Sequence, residues 1–75
     1  MFRCKYKVEV GKRIRHFRKR YYLSRETLGS FIGRSGFYIW AIEFGIVFPD
    51  LVDLGYLCIE YGLDLNWLIA GDHKF

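Results

Sequence analysis

The sequence predicts a compact all-α domain of five helices. Three observations carry this. Apolar residues recur at i, i+3, i+4 and i+7 spacings through most of the chain. Glycines (Gly33, Gly45, Gly62 and Gly71) follow the runs at points where a left-handed residue can stop a helix. No segment carries the signal of a strand, a repeat or low complexity.

At 75 residues the chain has room for one domain and a small core. Its 20% aromatic content compensates, because each buried ring removes much surface from water. There is no apolar run of membrane-spanning length, and no apolar signal-peptide segment follows the basic N-terminus. Cys4 and Cys58 form no metal-ligand pattern and are expected as free thiols of a reducing cytoplasm. No nucleophile–base pair, phosphate loop or metal cluster appears at a readable spacing. Neither enzyme activity nor a cofactor is therefore expected.

The net charge of +4 hides an asymmetry. Residues 1–25 carry ten Lys/Arg against one acid, Glu9, a balance of +9. Residues 26–75 carry two against seven, a balance of −5. A basic first third of this kind suits a phosphate-facing surface.

Residues 1–7 lack periodicity and are expected as a flexible basic arm ahead of a domain at 8–71, with 72–75 as a tail. Val10, Ile14, Phe17 and Tyr21 then form one helical stripe, with Lys12, Arg13, Arg15, Lys19 and Arg20 off it. In the second element Ser24 is placed as N-cap, Leu28 and Ile32 share a face, and Gly33 stops the run. Ser35 caps the third, Ile39 and Ile42 repeat the spacing, and Gly45 ends it. Gly29 lets the two helices cross closely, as so short a turn demands. This is the layout of a helix-turn-helix, whose second helix enters the major groove in DNA-binding examples. Pro49 fits the first turn of a fourth helix, and Asp50 and Asp53 suit its positive end. Leu51, Leu54, Leu57, Cys58 and Tyr61 are expected on its inward face. Asp64 can cap a fifth helix over residues 65–70.

In this order and spacing, Arg18, Leu23–Ser24, Leu28, Gly29, Gly33, Ser35, Tyr38–Ile39, Ile42–Glu43, Gly45, Pro49, Leu51, Leu54, Leu57, Gly62 and the ending DLNWLIAG resemble the Cro/C1-type (XRE-family) helix-turn-helix domains of phage repressors and bacterial regulators. The resemblance runs from about Val10 to Gly71. It implies a lambda-repressor-like five-helix bundle that binds double-stranded DNA as a small transcriptional regulator. It also implies an ion pair between Arg18 and Glu43, and base reading from Gly36, Phe37, Trp40, Ala41 and Phe44. Those residues depart from the usual Arg, Lys, Asn and Gln of base readers. Phosphate contacts are expected from Arg25, Arg34 and the helix ends at Ser24 and Ser35. Phe31 and the stripe Val52, Tyr56 and Ile59 occupy positions that are mostly polar in the family. They point to an interface, with a homodimer expected on this domain's own surface because little chain remains after Gly71. The alternative is a protein-interaction module on the same fold, its aromatic third helix docking a partner.

Overall fold

The structure, a computed structural model, describes residues 5–71. Residues 1–4, with Cys4 and most of the expected arm, and the tail 72–75 lie outside the described residues. Five helices follow in order: α1 (Lys5–Arg20), α2 (Arg25–Phe31), α3 (Gly36–Glu43), α4 (Leu51–Tyr61) and α5 (Leu65–Ala70). Residues 5–7, expected in the arm, are the first turn of α1. Among the described residues no helix is long and apolar enough to cross a membrane.

The stripe of α1 seals the centre. Val10, Ile14 and Phe17 are buried against Leu28 and Ile32 of α2, Ile39 and Ile42 of α3, Leu54 and Leu57 of α4, and Leu63, Trp67 and Leu68. Two glycines set how closely the helices meet. A Cβ on Gly29 would stand 2.5 Å from the Ser35 carbonyl oxygen, so α2 passes directly under the start of α3. A Cβ on Gly11 would fall on the Ile42 carbonyl oxygen and lie 2.9 Å from that of Glu43. Thus α1 meets the end of α3 backbone to backbone.

The end of α1 is shaped by a residue that strains it. The Leu23 amide donates to the Arg18 carbonyl and the Tyr22 amide to that of Lys19, both at 3.0 Å. These two bonds make a Schellman motif, which requires a left-handed residue after the cap. Tyr22 takes that place with φ 58° and is almost fully exposed.

Helix α4 turns Leu54 and Leu57 inward as expected, with Cys58 and Tyr61 packed against the core, and departs from the expected face in its first turn. Leu51, placed inward by its spacing with Leu54, is 77% exposed, and Asp53 is buried instead. The cause is a polar pocket that accepts a carboxylate, described below. Pro49 lies buried just ahead of α4 rather than in its first turn, and Asp50 stands at the N-cap without a side-chain cap bond. The far end of α4 is held by rings. Tyr61 lies 5.6 Å from Phe17, 5.0 Å from Tyr21 and 5.4 Å from Phe31, centroid to centroid. Phe31, expected as interface surface, therefore spends one edge on the fold. Cys58 is a free, half-buried thiol whose pKa is raised by burial and then by the nearby Asp64.

Gly11→Ala should destabilise the domain by about 2 kcal/mol or more, because two backbones must part. In an ordinary helix interior the same change stabilises by up to about 1 kcal/mol. Tyr22→Gly should raise stability by about 1 kcal/mol, since glycine enters the left-handed region without cost. Urea unfolding followed by circular dichroism reads both, and opposite signs are expected.

Candidate nucleic-acid interface

The carboxylate of Glu43 is the hub of the helical core's polar side. Its side chain is 1% exposed. Arg18 donates from Nε to Glu43 Oε2 at 2.6 Å and from Nη2 to Oε1 at 3.3 Å. The remaining Arg18 nitrogen, Nη1, donates to the Leu23 carbonyl at 2.8 Å. Arg25 Nε reaches Glu43 Oε1 at 3.0 Å. The structure thus brings the implied Arg18–Glu43 pair together and adds Arg25 to it. Two cations on one carboxylate leave the triad with a net charge of +1. Arg25, expected simply as a phosphate anchor, also clamps α2 to α3.

Arg34 sits in a different setting. Its Nη2 donates to Asp50 Oδ2 at 2.6 Å, and its Nε lies 3.2 Å from Asp53 Oδ2 in an ion pair. Its guanidinium stands 4.5 Å from the centroid of the Tyr38 ring, a cation–π distance. The Tyr38 hydroxyl accepts from the Asp50 amide at 3.0 Å. Burial first, and then Asp53, raise the Tyr38 pKa above its usual 10.0, against the lowering effect of the Asp50 amide and Arg34. One cation between two carboxylates gives this cluster a net charge of −1. The structure therefore places Arg34 in a bridge between the α2–α3 turn and α4, where it cannot neutralise phosphate without leaving Asp53 buried and unpaired.

The outer face of α3 is a line of rings. Phe37 stacks on Trp40 at 5.3 Å and 20°, and Trp40 meets Phe44 at 5.1 Å. Phe37 is 72% exposed. The spacing i, i+3, i+7 keeps the three on one side. Ala41, expected to read the groove, is buried at 6% because it lies on the core side of that line, beside Ile42. Gly36 does not present open backbone either, since a Cβ there would stand 3.0 Å from Glu26 Oε2. Ser24 and Ser35 cap their own helices: the Thr27 amide donates to Ser24 Oγ at 3.0 Å, and the Tyr38 amide to Ser35 Oγ at 3.3 Å.

A groove at the α1–α2 corner is lined by Arg15, Arg18, Lys19, Ser24, Arg25 and Glu26. Arg15 and Lys19 are exposed there. Arg25 joins this groove to the aromatic line, its guanidinium 5.9 Å from the Phe44 centroid. Other basic side chains of α1 make contacts within the fold. Arg13 donates to the Leu68 and Ile69 carbonyls at 3.0 and 3.2 Å and so closes α5. His16 packs its ring 5.8 Å from Trp67. The sequence carried Arg15 and Lys19 only as part of a basic helix. Their meeting with Arg25 needs the crossing angle of α1 and α2, which no local spacing encodes. No family model, curated protein or solved structure matches this chain significantly.

Glu43→Ala should cost about 3–5 kcal/mol, because it leaves two arginines without their shared acceptor, one of them buried. Arg25→Ala should cost much less, since Arg18 still holds the carboxylate. Chemical denaturation of the two variants against the parent measures the difference.

Proposed function

We propose that this chain is a DNA-binding module of the Cro/C1 helix-turn-helix type, with a lambda-repressor-like arrangement of its five helices, acting as a small transcriptional regulator. The observation that carries this reading is the continuity of the cationic groove with the exposed face of α3 through Arg25. A duplex lying along that surface meets Arg15, Lys19 and Arg25 on its phosphates while Phe37, Trp40 and Phe44 face the groove. Phosphate contacts supply affinity and position, and the rings supply shape and methyl contacts. The fold resemblance supports the same conclusion by analogy only.

The charge after pairing decides which arginines matter. The Arg18–Glu43–Arg25 triad keeps +1, and the Arg34–Asp50–Asp53 cluster keeps −1. Binding to duplex should weaken steeply with salt, with a log–log slope of about −0.9 per phosphate neutralised. Arg15→Ala, Lys19→Ala and Arg25→Ala should each flatten that slope by about one unit. Arg34→Ala should leave the slope unchanged while lowering stability. Fluorescence anisotropy with a random-sequence duplex at several salt concentrations makes the measurement. A slope that is indifferent to Arg15, Lys19 and Arg25 would overturn the phosphate-contact scheme.

A second reading rests on one observation. The line of rings formed by Phe37, Trp40 and Phe44 carries one polar hydrogen-bonding group, the Trp40 indole N–H. A protein-docking α3 would use Phe37 and Trp40 as anchors, as buried aromatics serve in many interfaces. Absence of duplex binding even at low salt would favour this alternative.

A further inference from the structure

The outer face of α4 is a broad apolar surface that lies outside the proposed DNA surface. Leu51, Val52, Tyr56 and Ile59 are 77%, 67%, 53% and 83% exposed. Gly55 lies within the same face, and a Cβ built on it would meet nothing within 4 Å. This glycine differs from Gly11 and Gly29, where a Cβ would strike backbone. Nor does Gly55 take a left-handed conformation. A mid-helix glycine lowers helix stability, and the single chain has no steric need for this one.

The pattern around Gly55 reads the same in both directions. Leu51 stands four residues before it and Ile59 four residues after. When two helices cross antiparallel on a two-fold axis, a residue at one offset faces the residue at the opposite offset in the other copy. An axis at Gly55 therefore sets Leu51 of each copy against Ile59 of the other, with the Tyr56 rings flanking the axis. The missing side chain at the crossing lets the two backbones approach. From the exposures above, the stripe presents on the order of 500 Å² per copy, at the upper end of patches on monomers. Two such stripes bury about 1,000 Å², the small end of specific interfaces.

We infer that α4 is a homodimerisation helix, with a second copy of this chain crossing antiparallel on a two-fold axis at Gly55. The inference is independent of DNA binding. At this interface size the dimer is concentration-dependent. Sedimentation equilibrium of the full chain, from micromolar to millimolar concentration and without DNA, should show a shift from one to two chains. Leu51→Lys and Ile59→Glu should each weaken association at least tenfold. These positions are exposed, so helicity by circular dichroism should be retained. The double variant should recover part of the association at low salt, because each lysine then faces the other copy's glutamate. Gly55→Leu should also weaken association at least tenfold while raising the melting temperature of the monomer. A parent chain that stays monomeric throughout would overturn the proposal. So would a dimer indifferent to Ile59→Glu, or a double variant with no recovery, which would rule out the antiparallel register.

Discussion

A carboxylate as enclosed as that of Glu43 must be met by donors, and this requirement organises the domain. Arg18 reaches it from α1, Arg25 reaches it from the first turn of α2, and the acid itself ends α3. Three helices thus converge on two oxygen atoms. Arg18 adds a bond to the Leu23 carbonyl, which fixes the chain between α1 and α2 at the place where Tyr22 is held left-handed. Buried ion pairs add little net stability against an apolar alternative, because desolvation offsets attraction. Their geometry is demanding, however, so the network selects one arrangement of the three helices over near alternatives.

Close backbone approach completes what the ion network begins. Gly29 brings α2 under the start of α3, and Gly11 brings α1 against its end. An eight-residue helix held at both ends has one side left for solvent. That side carries Phe37, Trp40 and Phe44. The same constraint turns Ala41 inward, although its neighbour Trp40 is partly exposed. The aromatic line therefore follows from where two glycines and one glutamate sit, not from any preference of the rings themselves.

The sequence disclosed the elements and the core better than the surface. Four helix stops appear as glycines with positive φ, and Val10, Ile14 and Phe17 seal the stripe that spacing indicates, whereas its fourth member, Tyr21, lies just past the end of α1 and is 39% exposed. Periodicity failed at Leu51 and Asp53 because it ranks residues by apolarity alone. It cannot anticipate that Arg34 and Tyr38, distant in sequence, build a site for a buried carboxylate. Gly11 carried no local sign of its role, since only the partner backbone of α3 gives it one. Arg25 was legible as a cation near a helix start, but its second attachment depends on the end of α3 arriving beside it. In each case the missing information was a contact between elements rather than a property of one.

Pairing redistributes the charge that composition describes. The basic balance of residues 1–25 is not a uniform sheet of free cations. Arg13 is spent on α5 carbonyls, and Arg18 is spent inside the core. What remains outward at the α1–α2 corner includes Arg15, Lys19 and the surplus charge of the triad, with Glu26 alongside. At the other end of the α2–α3 pair, the Arg34 cluster is net negative and braces α4. A polyanion on this surface would feel attraction at one end and repulsion at the other. In the proposed complex that gradient favours one direction of approach, toward the groove and along the rings, even though the rings carry no charge. Orientation would then come from how the acids are placed as much as from the arginines.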